Sequence, residues 1–260
     1  MYQKERIDAI LSILRKQGYA TVKQISADLG YSTATVNRDL NDMEKQMLVR
    51  RSYGGVEPIE NVYVPLIFRY AKNKSVKKRL CRCAASFVEP GDTIFVDAST
   101  TTQFMGPYLT EIKDITVITP NVALAVYLLE HGVRTVVLGG SVVEEPYFLG
   151  GSEAACAARH YRADKCFVSP GGVNEWGEVA VSEKTVELHR EYLERSTKRF
   201  YLLHQNKFFP FHHSFATLAD VNTVITDDDY SHLFGERFPN TQFIVAGHEE
   251  NGKEKESAAR

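Results

Sequence analysis

No apolar run in the chain approaches the roughly 18 residues that a membrane-spanning helix needs, so no bilayer segment is expected. The opening stretch, MYQKERIDAILSILRKQ, alternates charged and apolar residues at helical spacing and has no signal-peptide core. Cysteine is scarce: Cys81, Cys83, Cys156 and Cys166 are the only four, with no C-x-x-C pair and no His/Cys cluster at zinc-ligand spacing. A disulfide framework is thereby excluded, no metal or cofactor is expected, and the thiols suit a reducing, cytoplasmic compartment. Excess charge is also lacking. A net charge of −2 argues against a chain that coats nucleic acid indiscriminately. What is present is ordinary globular composition, 43% hydrophobic and 25% charged over 260 residues, enough for one large domain or two smaller ones. The charge is unevenly placed: residues 1–57 net +2 and the rest of the chain nets −4, the sign expected if the first segment meets phosphates.

Within that first segment Ile7, Ile10, Leu11 and Leu14 follow the i, i+3, i+4, i+7 pattern of an amphipathic helix that Gly18 ends. Thr21 reads as the N-cap of a short helix carrying Val22, Ile25 and Leu29 inward and closed by Gly30. Ser32 caps a third helix, to about Lys45, with Val36, Leu40 and Met43 as its buried stripe. Two short helices about a tight turn make a helix-turn-helix, and LVRRSYGGVEPI reads as a β-hairpin wing around Gly54-Gly55. Projected at about 100° per residue, the third helix turns Ala34, Arg38 and Asn41 outward, flanked by Thr35 and Asn37. Arg forks onto guanine and Asn onto adenine in a major groove. Ser32 and Thr33 at the helix start suit a phosphate. Arg50, Arg51 and Tyr53 in the wing are expected at the adjacent backbone, positioning without reading sequence.

From residue 92 short β-branched runs alternate with helical stretches such as VALAVYLLEH and SEKTVELHREYLERS. The expected strands are 93–97, 115–119, 135–140, 165–169, 199–203, 223–227 and 241–246. The alternation predicts an α/β unit with a mainly parallel sheet covered on both faces. Ligands of open α/β sheets bind beyond the carboxyl ends of the strands. Those ends carry the hydroxyl loop DASTTT (Asp97, Ser99, Thr100, Thr101, Thr102), then Asn121, then Gly139-Gly140, then Gly171-Gly172. Glu183 opens a later helix, and His204 and Lys207 follow a strand. Hydroxyls and free N–H groups at a helix start hold a phosphate without a metal, and glycine lets backbone approach a ligand. Together they point to a phosphorylated sugar or polyol. The preceding charge run, Lys72–Arg79, reads as the solvated face of a helix.

The segment 19–56 resembles the DNA-binding region of DeoR-family regulators, through the Arg-Asp-Leu of the third helix and the Gly-Gly of the wing. Asn37 stands where the family has the first of two arginines. The Arg69, Asn73, Lys77 spacing resembles the family's junction signature. The later segments resemble its effector domain, which shares its architecture with ribose-5-phosphate isomerase. The resemblance, over about 3–228, implies a homo-oligomeric repressor of a carbohydrate operon, binding double-stranded operator DNA and relieved by a phosphosugar. It implies no catalytic residue. Ser99 replaces a glycine of the hydroxyl loop, and Pro120 interrupts a Thr-Asn pair. His204 replaces an Asp, and Glu187 stands where a basic residue is common. His204 and Glu187 are accordingly expected within hydrogen-bonding range of each other. The alternative reading is an isomerase-like enzyme using Asp97, Glu183 and Lys207; a winged-helix assembly module is a third. The expected organisation is 1–57 winged helix-turn-helix, 58–74 linker, 75–248 effector domain and 249–260 disordered tail.

Overall fold

Helix α1 (Gln3–Gln17) stops at Gly18, whose φ of 72° is the left-handed conformation that glycine adopts without strain. Helix α2 (Val22–Leu29) starts with a capping box: the Gln24 N–H donates to Thr21 Oγ1 at 3.2 Å and the Thr21 N–H to Gln24 Oε1 at 2.8 Å. Helix α3 (Thr33–Lys45) has Ser32 before it, accepting from the Thr35 N–H at 3.2 Å. Strands β1 (Val49–Ser52) and β2 (Gly55–Pro58) pair antiparallel with Ser52 opposite Gly55. Gly55 thus lies in the strand rather than at the tip, and the reason is steric: a Cβ there would sit 2.3 Å from the Tyr19 ring. Ile10, Leu14, Ile25, Leu40, Met43 and Val56 are fully buried in one small core, each contributing about 1.5–3 kcal/mol of transfer free energy.

The structure is a computed structural model describing residues 3–45, 48–52, 55–58, 72–144, 148–211 and 214–247. Tyr53, Gly54, most of the expected linker and the expected disordered tail lie outside the described residues. The chain divides into two compact units, Met1–Phe68 and Arg69–Arg260.

The second unit begins with α4 (Lys74–Ala85), β3 (Thr93–Val96) and a single helical turn, α5 (Gly106–Leu109). There follow β4 (Thr116–Thr119), α6 (Val122–Glu130), β5 (Arg134–Val137), the hairpin strands β6 (Ser141–Glu144) and β7 (Phe148–Gly150), and α7 (Gly151–Ala158). Then come β8 (Ala163–Val168), β9 (Gly172–Val173), β10 (Glu178–Ala180), α8 (Val186–Glu194) and β11 (Ser196–Leu203). Strands β12 (Ala216–Thr217) and β13 (Thr223–Thr226), helix α9 (Ser231–Phe234) and strand β14 (Gln242–Val245) complete it.

Seven strands form one sheet in the order β14-β13-β11-β8-β3-β4-β5, every neighbouring pair parallel. All seven are the strands expected from the β-branched runs. Side chains alternate between two cores: Phe95, Ile118, Cys166 and Tyr201 bury on one face, and Ile94, Val117, Phe167 and Phe200 on the other. Among the described residues no helix is long and apolar enough to cross a membrane.

The order fixes where a ligand can enter. From β3 the chain winds outward through β4 and β5, then returns to lay β8 on the other side of β3 and winds away through β11, β13 and β14. The direction reverses between β3 and β8. Doubly wound sheets place their ligand crevice at such a switch point, beyond the carboxyl ends of the two strands.

Candidate functional site: a DNA-facing helix and a switch-point crevice

In the first unit the outward face of α3 is as the helical projection predicts. Thr33, Ala34, Arg38 and Asn41 are exposed, and Thr35 and Asn37 are half-buried. Between them Asp39 is only 1% exposed and takes a bidentate hydrogen bond from Arg6, Nε to Oδ2 at 2.7 Å and Nη2 to Oδ1 at 3.0 Å. Asp39 therefore ties α3 to α1, while Arg38 beside it points to solvent. Arg50 is exposed on β1 and free to meet a backbone phosphate. Arg51 is not. It donates from Nη1 to Asn37 Oδ1 at 3.1 Å and from Nη2 to Asn37 O at 3.2 Å, with Glu44 at 3.7 Å. Arg51 thereby forms a strut between wing and third helix. The residue that departs from the double arginine, Asn37, is what makes it.

The second site starts at Asp97, the residue after β3. Its Oδ1 accepts from Thr102 Oγ1 at 2.5 Å and its Oδ2 from the Ser169 N–H at 2.8 Å, so it bridges the two strand ends that part at the switch point. Burial pushes the carboxyl above its ordinary range, against the pull of the Thr102 hydroxyl, the Ser169 N–H, Ser99 and the Lys207 ammonium. Of the loop hydroxyls, Ser99 accepts from the Thr102 N–H at 3.0 Å, and Thr100 accepts from Lys77 Nζ at 3.0 Å. Thr101 Oγ1 alone is buried without a partner. The N–H groups of Ser99, Thr100 and Thr101 meet no protein acceptor among the described residues. The loop runs into a short 3₁₀ turn, Thr102–Met105, and then α5, rather than into a long helix.

Lys77 corrects the reading of Lys72–Arg79 as solvated. It is 3% exposed. Lys77, Leu80, Cys81 and Ala84 are spaced i, i+3, i+4, i+7, so the lysine heads the apolar stripe that α4 lays on the sheet. Its cation emerges at the Thr100 hydroxyl. Lys207, after β11, donates to Pro170 O in a short hydrogen bond and acts on Asp97. His204, the residue directly after β11, is 7% exposed, and its Nδ1 is buried without a hydrogen-bond partner among the described residues. Burial, then the cations of Lys207, Lys77 and Lys72, push its imidazole down to about 3. Asp97, Thr100, Thr101, Lys77, Ser169, Lys207 and His204 thus form one cluster, to which residue patterns alone assigned neither Lys77 nor Ser169.

Other expected contacts have jobs within the chain. Asn121 caps α6, its Oδ1 accepting from the Leu124 N–H at 3.0 Å. A Cβ on Gly140 would lie 2.3 Å from Gly150 O, and one on Gly172 would lie 2.5 Å from the Phe209 ring. A Cβ on Gly171 would stand 3.0 Å from Ala180 O. It is the chain that crowds these glycines. Gly139 meets nothing within 4 Å and is exposed. Glu183 is exposed in the turn before α8, and no contact joins it to the cluster among the described residues. The His204–Glu187 pair is not formed. Glu187 is exposed on α8 and acts on Arg159, whereas His204 faces lysines. His189 is a satisfied core histidine, its Nε2 2.7 Å from the Tyr201 hydroxyl. His131 is exposed with Nδ1 2.8 Å from Tyr127 O; His212 and His213 lie outside the described residues.

Family models match both units: a DeoR-like helix-turn-helix domain over residues 6–62 and the DeoR C terminal sensor domain over residues 72–228. The chain belongs to the DeoR family. It is a DNA-binding transcriptional regulator with a sensor domain, not an enzyme. It is 31% identical over 248 residues to the HTH-type transcriptional repressor GlcR of Bacillus subtilis (strain 168), covering 94% of this chain and 92% of that protein. It is 25% identical over 201 residues to the glycerol-3-phosphate regulon repressor of Escherichia coli (strain K12), covering 76% and 77%. Among solved structures, ribose 5-phosphate isomerase from Plasmodium falciparum covers 52% of each chain at 12% identity and a TM-score of 0.39.

Proposed function

We propose that this regulator represses a carbohydrate-metabolism operon and that a phosphorylated sugar, bound in the crevice between β3 and β8, releases it from DNA. The observation that carries the reading is the Lys77–Thr100 contact at the carboxyl end of β3, beside loop N–H groups that meet no protein acceptor among the described residues. Buried cations and free N–H groups hold a phosphate, while Asp97 offers a carboxylate to sugar hydroxyls. The names of the two repressors above support the direction of control. Asp97, Ser99, Thr100, Thr101, Thr102, Lys77, His204 and Lys207 form the pocket in this reading. Asn121 and the glycines shape it through the chain contacts described. Two copies pair so that two α3 helices meet successive major grooves, as symmetric helix-turn-helix proteins do.

The test is a thermal-melt screen of the full chain against sugar phosphates and their unphosphorylated parents. Ligand at 100 times its dissociation constant stabilises the folded state by roughly 2.7 kcal/mol, a shift of several degrees. A shift with a phosphorylated compound and none with its parent supports the reading. Equal shifts with both, or none with either, sink it.

A further inference from the structure

His204 is a buried polar group left unsatisfied beside the site. It follows β11 directly, at the carboxyl end of the strand beside β8, and is 7% exposed. Its Nδ1 is covered and makes no hydrogen bond among the described residues. A buried polar atom without a partner costs about 1–3 kcal/mol, and native structures keep few of them uncompensated. The imidazole is not isolated from the site. The lysines that act on it are Lys77, which donates to Thr100, and Lys207, which acts on Asp97. Thr101 Oγ1, also buried without a partner among the described residues, lies in the hydroxyl loop beside Thr100.

We propose that His204 is the specificity-determining residue of the crevice, its Nδ1 sharing a hydrogen bond with a hydroxyl of the bound sugar phosphate. The inference rests on the phosphosugar reading of the site. The chemistry chooses the hydroxyl over the phosphate. Surrounded by cations, the imidazole stays neutral, with one nitrogen carrying hydrogen and the other a lone pair. A hydroxyl matches either form because it donates and accepts. A phosphate oxygen only accepts, and ammonium groups serve it better. A site holding a buried polar atom rejects analogues that lack the matching group, because binding them leaves that atom unpaired.

The experiment uses the full chain and four probes, glucose 6-phosphate, fructose 6-phosphate, fructose 1-phosphate and glycerol 3-phosphate, with inorganic phosphate as the control. His204→Asn keeps a polar atom near the place of Nδ1, His204→Gln keeps one near Nε2, and His204→Phe keeps neither. For the probe that wild type binds, His204→Asn retains affinity within about threefold, and His204→Gln and His204→Phe each weaken it about tenfold or more. The response to inorganic phosphate is unchanged in all three. The ligand-free His204→Phe protein melts no lower than wild type, because an orphaned polar atom has been removed. Wild-type affinity in His204→Phe overturns the proposal, and so does rescue by Gln but not Asn. Should the Phe variant fold poorly, the contrast of Asn with Gln still decides. A wild type that responds to no probe removes the phosphosugar reading, and this proposal with it.

Discussion

Asp39 and Asp97 are both shielded carboxylates, and the two units treat them in opposite ways. In the first unit Asp39 is almost wholly buried and receives both oxygens' worth of hydrogen bonds from the Arg6 guanidinium. Charge meets charge, and the pair holds two helices together. In the second unit Asp97 is held mainly by neutral donors, the Thr102 hydroxyl and the Ser169 N–H, and burial lifts its carboxyl above the usual range. The difference is in charge: a guanidinium closes the first carboxylate, and neutral donors prop the second. The first belongs to a scaffold that exposes its working residues on a helix face. The second belongs to a site assembled from strand ends.

The sharpest way to break the contrast is to open the fork. Arg6→Ala leaves Asp39 buried without its guanidinium partner, the most disruptive change expected in the first unit. Chemical denaturation of the full chain is expected to show the first unit unfolding early, with DNA binding lost and the sugar-phosphate melt shift retained. An Arg6→Ala protein as stable as wild type contradicts the role given to Asp39.

Acid tests the second unit. Burial holds His189, beside the Tyr201 hydroxyl and with Asp220 pulling the other way, down to about 4, and His204 among Lys207, Lys77 and Lys72 down to about 3. Both imidazoles are neutral in the folded state and take up a proton on unfolding below their ordinary value. Stability is therefore complete above about pH 6.5 and falls as pH drops toward 4, by about 1.4 kcal/mol per pH unit for each imidazole. His189→Phe removes one proton's share of that slope. A pH-independent melt between 6.5 and 4.5 speaks against the burial of both.

Smaller effects separate reading from positioning in the first unit. Arg38→Ala is expected to cost about 1–3 kcal/mol on operator DNA and to relax preference at one base position. Arg50→Ala is expected to weaken all sequences alike and to lower the salt dependence by about one phosphate. Competition binding with operator and random DNA distinguishes them; identical behaviour contradicts the assignment. The Asn37–Arg51 strut is worth least, about 0.5–1.5 kcal/mol as a neutral-to-charged hydrogen bond on a half-exposed surface. A double-mutant cycle of Asn37→Ala with Arg51→Ala, read by DNA affinity, gives a coupling of that size, and strict additivity removes the strut.

Legibility differs between the units for the same physical reason. The face of α3 was readable because a helix puts residues near in sequence on one surface, so Thr33, Ala34, Arg38 and Asn41 could be projected from spacing alone. The seven sheet strands were readable because each is a β-branched run closed by turn residues. Short pieces such as β9 and β12 are two residues long and carry no period. The reach of Arg51 back to Asn37 was not legible, because nothing local announces it. Lys77 was hidden by its charged neighbours, although its spacing to Leu80, Cys81 and Ala84 already placed it on the buried stripe. Glycine pairs invited a ligand explanation, yet at Gly140 and Gly172 what crowds the backbone is Gly150 and Phe209. Residues at strand ends are set by side chains far away in sequence, and only the fold brings those together.

The central claim is that occupancy of the crevice changes DNA binding. Fluorescence anisotropy of labelled DNA from upstream of this chain's own coding region, with the full-length protein, tests it when the sugar phosphate that raises the melting temperature is added. Affinity is expected to fall about 5- to 150-fold, the usual range of allosteric coupling. Lys77→Met, with its buried cation removed, is expected to bind DNA as wild type does and to ignore the ligand. DNA affinity that stays constant while the same ligand saturates the protein would mean that the two sites are not coupled.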